Sequence, residues 1–194
     1  LVKPYLEDPL SLSEYLNSHR QQFESDLFPL LEIPSVSTDP ARKSEVVRCA
    51  HEVAAQLRQA GLEDVAVMET GGQPLVFGQW LHAPNAPTVL VYGHYDVQPV
   101  DPLNLWESPP FEPQIRDGEI YARGASDDKG QMFVHVKAVE AILKANGSLP
   151  VNVKLLFEGE EEIGSPNLEL FVLSHRDLLA ADSGLVSDSR ILHA

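Results

Sequence analysis

The fold class is decided by one stretch of sequence, Thr88-Val89-Leu90-Val91-Tyr92-Gly93-His94-Tyr95-Asp96-Val97. Its first five residues are an apolar run typical of a buried β-strand. One imidazole, His94, and one carboxylate, Asp96, follow where that strand ends. Because open α/β sheets build their sites at the carboxyl edge of the strands, this junction predicts a functional site.

Two acidic segments lie further along the chain, again at predicted strand ends. They are Arg123-Gly124-Ala125-Ser126-Asp127-Asp128-Lys129-Gly130 and Glu158-Gly159-Glu160-Glu161-Glu162-Ile163-Gly164-Ser165. One histidine and several carboxylates at strand-to-loop junctions are a suitable donor set for a divalent metal ion. The sequence therefore predicts a metal site.

Composition narrows the class of protein. A chain of 194 residues with 43% hydrophobic and 22% charged residues is expected to form one globular domain. The net charge of −15 argues against a nucleic-acid partner, which would require clustered Lys and Arg. No apolar stretch approaches the roughly 18 residues that span a bilayer, so we expect no membrane partner. The single Cys49 excludes an internal disulfide and favours a reducing, cytoplasmic location.

Three helices are predicted from apolar spacing and end signals. Ser11-Leu12-Ser13-Glu14 resembles a capping box that starts the first helix. Asp39-Pro40 is a suitable start for the second helix, and Gly61 is a suitable end for it. Gly147 is a suitable end for the third helix. The predicted ranges run from 11 to between 29 and 34, from 39 to 61, and from about 130 to 146.

Strands are predicted at 65–68, 75–80, 88–92, 119–122, 151–157 and 185–187. Helices that alternate with buried strands favour an α/β fold. The expected architecture is a three-layer sandwich with a mainly parallel central sheet flanked by helices. The Pro-rich segment 98–113 is expected to be a loop that covers the C-terminal ends of the strands.

Taken together and in this order, the three motifs resemble those of the zinc-dependent M20 metallopeptidases, which include cytosolic dipeptidases, carboxypeptidases and amino-acid deacylases. The resemblance runs from about Leu31 to the end of the chain, and the phrase Gly93-His94-Tyr95-Asp96-Val97-Gln98-Pro99 is nearest to the dipeptidase branch. It implies hydrolysis of dipeptides or short peptides by water activated between two divalent metal ions. Zn²⁺ is the usual family metal, and an oxygen-rich donor set also suits Mn²⁺.

The resemblance also implies roles for the residues of the first two motifs. His94 corresponds to a metal ligand, and Asp96 to a carboxylate that orients the imidazole during catalysis. Asp127 corresponds to the carboxylate that bridges two metal ions, with Asp128 as the alternative. The family carries a strained peptide bond at this Asp-Asp step, which we expect here as well.

The third motif and the last predicted strand supply the remaining roles. The pattern Glu-Glu-x-Gly-Ser matches Glu161 to the general base and Glu162 to a metal ligand, which leaves Glu160 outside the site. Asp188, just beyond the last strand, resembles the terminal metal ligand. Asp182 is the competitor for that role, but a ligand beyond a strand end is better fixed.

Family members are about twice as long and carry an inserted lid and dimerisation domain, then a return to the catalytic domain. The resemblance therefore implies that residues 1–194 are the N-terminal part of a catalytic domain, inactive alone, from a homodimeric protein. Two alternatives stay open: an N-acyl amino acid deacylase or carboxypeptidase of the same family, and a non-catalytic metal-binding or scaffold fragment. An intact Glu161 argues against the scaffold, because a structural site needs no general base.

Overall fold

A computed structural model describes residues 11–189. This part of the chain contains five α-helices and seven β-strands. The helices are α1 Leu12–Leu31, α2 Lys43–Gln59, α3 Lys129–Asn146, α4 Leu168–Ser174 and α5 Arg176–Leu179. The strands are β1 Glu63–Met68, β2 Leu75–Trp80, β3 Thr88–His94, β4 Gln114–Arg116, β5 Glu119–Tyr121, β6 Asn152–Glu158 and β7 Ser183–Val186.

The helix ends largely follow the predicted end signals. Ser11 and Glu14 form a reciprocal capping box, in which the Glu14 N–H donates to Ser11 Oγ and the Ser11 N–H donates to Glu14 Oε2. Asp39 caps a short 3₁₀ turn, so α2 begins only at Lys43. Gly147, with φ of +74°, ends α3 in the left-handed conformation that glycine adopts without steric cost.

The central sheet has five strands in the order β1-β2-β6-β3-β7. β1 and β2 form one antiparallel pair, β2 and β6 form another, and β3 pairs in parallel with β6 and with β7. The prediction of a mainly parallel sheet is therefore wrong: the sheet is mixed. β1 and β2 are joined by a connection too short for a parallel crossover, so they form an antiparallel pair.

The predicted strand 119–122 lies outside the central sheet. It forms β5, which pairs with β4 in a separate antiparallel hairpin. Gly118, with φ of +86°, lies in the tight turn between these two strands. The hairpin follows the predicted loop 98–113, which carries one short 3₁₀ turn at Leu103–Leu105.

Helices cover both faces of the central sheet. Leu155 and Phe157 of β6 lie in the larger core, which includes buried residues of α1, α2 and α3. Leu156 points to the other face and packs in a smaller core with Phe171 of α4 and Leu179 of α5. This alternation follows from the period of two along a strand, and it buries β6 on both sides.

Three parallel strands bring their C-terminal ends to one edge of the sheet. β3 ends at His94, β6 at Glu158 and β7 at Val186. The polar segments that follow each strand therefore meet at that edge. Within residues 11–189, no helix combines the length and the apolar character needed to cross a membrane.

Candidate metal centre

His94 is the fully buried centre of the predicted site. Its Nδ1 lies 3.1 Å from the main-chain oxygen of Asp96 and 3.3 Å from Asp96 Oδ1. Its Nε2 faces three carboxylates and has no hydrogen-bond partner. The distances from Nε2 are 3.2 Å to Asp127 Oδ1, 3.7 Å to Asp188 Oδ2 and 3.8 Å to Glu161 Oε2.

Three of the predicted metal ligands come together in space. His94, Asp127 and Asp188 each offer one ligand atom, and these atoms lie within 4.8 Å of one another. The two carboxylates are more open than the imidazole, with side-chain exposures of 60% and 31%. A buried nitrogen with no hydrogen-bond partner, facing solvent-accessible carboxylate oxygens, fits a divalent cation.

Asp96 connects the end of β3 to the turn that follows β6. Its carboxylate is completely buried and accepts the backbone N–H of Glu161 at 3.2 Å and of Glu162 at 3.1 Å. These two glutamates begin the 3₁₀ turn Glu161–Ile163. One side chain therefore contacts the imidazole of His94 and also orders the acidic turn.

The start of α3 approaches the same histidine from another side. The Asp127–Asp128 peptide bond is cis, at the step where the resemblance implied a strained bond. Asp128, the alternative to Asp127, accepts the backbone N–H of His94 with Oδ2 at 3.0 Å and so positions the end of β3. Gly93 is required for this approach, because a Cβ there would lie 2.6 Å from Asp128 Oδ2.

The three successive glutamates have different surroundings. Glu161 is the one whose carboxylate approaches His94. Glu162 instead accepts a hydrogen bond from the Gln98 amide, so the structure does not bring it into the group of three. Glu160 accepts the backbone N–H of Gln73 at 2.9 Å and the side-chain amide of Asn167 at 2.8 Å, away from His94.

Asp182, the competitor for the role of Asp188, lies at the opposite end of the sheet. Its carboxylate accepts the backbone N–H of Thr88 at 2.7 Å, at the start of β3. His94 is six residues further along that strand, a separation of about 20 Å in extended chain. Asp188 is therefore the one of the two that reaches the site.

Glu158 is a neighbour of the site that sequence reasoning missed. It is the register partner of His94 in the parallel β3–β6 pair, and it is 2% exposed. Its Oε1 accepts hydrogen bonds from the Tyr92 hydroxyl and from Ser165 Oγ. The sequence did contain a signal for it: Glu158 is a carboxylate that ends an apolar strand, just as His94 ends β3.

Comparison with known proteins identifies the family of the chain. The model of the family described as Peptidase family M20/M25/M40 matches residues 90–190, which are about half of the chain. The chain belongs to this family. The match includes His94, Asp127, Glu161 and Asp188.

Several M20 relatives resemble the chain over most of its length. The Cys-Gly metallodipeptidase dug1 of Schizosaccharomyces pombe is 33% identical over 190 residues, covering 92% of this chain and 40% of the relative. The Beta-Ala-His dipeptidase of Homo sapiens is 34% identical over 177 residues, covering 84% of this chain and 35% of the relative. The solved structure of the di-peptidase Dug1p from Saccharomyces cerevisiae superposes with a TM-score of 0.85 and 30% identity, covering 92% of this chain and 40% of that one. The chain thus spans about 40% of the length of these relatives.

Several ionisable groups of the candidate metal centre have shifted pKa values. Burial alone would lower the pKa of His94, but the hydrogen bond to Asp96 and the charges of Asp96 and Asp128 raise it to about 10. Burial, with the negative charges of Asp188 and Asp127, raises the pKa of Asp128 to about 6. Burial also raises the pKa of Glu161 and Glu162. A divalent cation would relieve this mutual repulsion.

Proposed function

We propose that this chain carries the N-terminal part of the catalytic domain of a metal-dependent dipeptidase. The observation that carries the proposal is the unpaired, buried Nε2 of His94, which faces carboxylate oxygens of Asp127, Asp188 and Glu161. A similar dipeptidase in S. pombe and another in humans support the dipeptide class of substrate over N-acyl amino acids.

We infer that the whole site takes two divalent ions, of which the group of His94, Asp127 and Asp188 would contact one. His94 and Asp188 would hold one ion, Glu162 the other, and Asp127 would bridge them. One imidazole with several carboxylates suits Zn²⁺, and Mn²⁺ is also compatible. When bound, the metal supplies a Lewis acid that makes water more acidic and polarises a substrate carbonyl.

Glu161 is the proposed proton carrier. Its side chain is 36% exposed, so a substrate and a water molecule can reach it, and its pKa is raised by burial. It accepts the proton of the attacking water and then delivers it to the departing amine, as a general base and then a general acid. The hydrogen bond from the Glu161 N–H to Asp96 holds the start of the turn in place while this happens.

The proposal extends to the whole protein that contains this chain. We expect that protein to be a homodimer in the cytoplasm, where the single buried Cys49 stays a free thiol. We expect this chain alone to have little or no peptidase activity.

The test compares two neighbouring glutamates in the full-length, zinc-loaded protein. The substrates are the dipeptides Cys-Gly and β-Ala-His, and the readout is the rate of release of free amino acids. Glu161→Gln is expected to reduce kcat by about 10²- to 10⁴-fold, the usual contribution of a general base. Glu160→Gln is the matched control: its side chain bonds Gln73 and Asn167 away from His94, so the loss of one of those bonds should reduce kcat far less than Glu161→Gln does. Full activity of Glu161→Gln would contradict the assigned mechanism.

A further inference from the structure

Gln131, the third residue of α3, connects the two exposed carboxylates of the candidate metal centre through their backbone neighbours. Its side-chain amide nitrogen lies 2.6 Å from the main-chain oxygen of Ser126 and 3.0 Å from that of Ser189. Ser126 directly precedes Asp127, and Ser189 directly follows Asp188. An amide group has two N–H donors, so Gln131 can donate to both carbonyls at once.

His135, one helical turn further along α3, contacts the residue that precedes Asp188. Its Nε2 lies 2.8 Å from the hydroxyl oxygen of Ser187, the residue before Asp188. Residues four apart share one face of a helix, so Gln131 and His135 meet the segment after β7 from the same face. α3 therefore holds the residues on both sides of Asp188, and through Gln131 it also holds the residue before Asp127.

We infer that Gln131 is a positioning residue that sets the separation of Asp127 and Asp188 around His94. Asp127 and Asp188 belong to segments that are 61 positions apart in the sequence, and their like charges repel. β7, which leads into Asp188, is exposed along its whole length, so packing of its side chains constrains this segment little. The bonds from Gln131 supply a constraint that packing does not.

This role rests on the proposed function, since it concerns the ligands of the proposed cation. Gln131 bonds main-chain oxygens and not the carboxylates of Asp127 and Asp188. Its side chain therefore leaves those carboxylates free to bind the ion. Partners that hydrogen-bond metal ligands directly typically change metal affinity by about 10- to 100-fold when removed. The same range is expected for loss of the Gln131 amide.

The test uses Gln131→Met, which keeps the length and the unbranched shape of the side chain but has no N–H donor. Gln22→Met is the matched control: Gln22 is exposed on α1, and its amide donates only to Asp26 in the same helix. Zn²⁺ affinity of the 194-residue chain is measured by competition with a chromogenic chelator, and Co²⁺ serves as a spectroscopic probe. Because Gln131 is partly exposed, both variants are expected to fold, with unchanged thermal midpoints in EDTA.

Gln131→Met is expected to bind Zn²⁺ about 10- to 100-fold more weakly and to alter the visible absorption band of Co²⁺, whereas Gln22→Met changes neither. Amide hydrogen exchange in EDTA gives a second readout that needs no metal. It should be faster in Gln131→Met at residues 125–128 and 186–189, and unchanged in β6. Equal Zn²⁺ affinity and equal exchange rates in Gln131→Met and the unsubstituted chain would overturn the inference. A third outcome is possible, in which the unsubstituted chain takes up no Zn²⁺ but Gln131→Met still exchanges faster. That result would support the positioning role of Gln131 and contradict the proposed metal site.

Discussion

Nδ1 of His94 lies 3.3 Å from a carboxylate oxygen of Asp96, and both side chains are fully buried. The contact fixes the plane of the imidazole and leaves Nε2 facing the carboxylates of the site. A carboxylate behind a histidine ligand also raises the basicity of its free nitrogen. Asp96 therefore links a ligand of the proposed cation to the turn that carries the proposed base.

Replacement of Asp96 by Asn is expected to weaken Zn²⁺ binding by about 10- to 100-fold. The amide removes the negative charge beside His94 and can accept only one of the two backbone N–H bonds from Glu161 and Glu162. Chelator competition measures the affinity. Asp64→Asn, at an exposed carboxylate bonded to Gln79, is the control and should bind like the unsubstituted chain. Equal affinities for the two variants would disprove the role of Asp96.

A methyl group at Gly93 is expected to disturb the site from within the sheet. The added Cβ would lie 2.6 Å from Asp128 Oδ2, which must then move away from the His94 N–H that it accepts. Gly93→Ala should lower the free energy of unfolding by about 1–3 kcal/mol, the usual cost of overpacking, and weaken Zn²⁺ binding as well.

The control for Gly93→Ala lies in the same sheet. Gly184 of β7 has open space where its Cβ would stand, so Gly184→Ala should leave both properties nearly unchanged. Urea unfolding in EDTA measures the free energy, and chelator competition measures the affinity. If Gly93→Ala behaved like Gly184→Ala in both experiments, the close approach of Gly93 to Asp128 would contribute neither to the free energy of unfolding nor to Zn²⁺ affinity.

The parts of the site that could be predicted are those that local sequence specifies. An apolar run that ends in His94 identifies a buried strand with a polar end, and a capping box at Ser11 identifies a helix start, because both signals lie within a few residues. Family resemblance then selected Asp127 and Asp188, which the structure brings to His94.

The parts that could not be predicted depend on pairing between distant segments. The sheet is mixed because β1 pairs antiparallel with β2, and β2 with β6. The short β1–β2 connection indicates the first pair, but nothing in the composition of β2 or β6 specifies the direction of the second. The hydrogen bonds of Gln131 likewise join segments that meet only in the folded chain. The hydrogen bond from the Gln98 amide to Glu162 is also a contact that no local pattern indicates, and the role of Glu162 as a metal ligand stays a prediction.

The metal-free chain is expected to lose stability as the pH rises from 5.5 to 8. The pKa of Asp128 is raised to about 6 by burial, and the pKa of His94 is raised to about 10 against the opposing effect of burial. When folding raises a pKa, the folded state binds the proton more tightly, so the stabilising contribution is complete at low pH and is lost as the pH rises through the folded-state value.

Thermal midpoints in EDTA at pH 5.5 and pH 8 test this prediction, and the midpoint should be higher at pH 5.5. Zn²⁺ competes with the proton for His94, so its addition should raise the midpoint more at pH 8 than at pH 5.5. A metal-free midpoint that rises with pH over this range would show that these groups do not govern its pH dependence.

The most direct test of the account is the zinc content of the purified 194-residue chain and of its His94→Ala variant, by elemental analysis after dialysis against micromolar Zn²⁺. The account predicts bound zinc in the unsubstituted chain and its loss in His94→Ala, because the alanine removes the only nitrogen donor of the group formed with Asp127 and Asp188. Equal zinc content in the two proteins, or none in the unsubstituted chain, would contradict the assignment of this group as the metal centre.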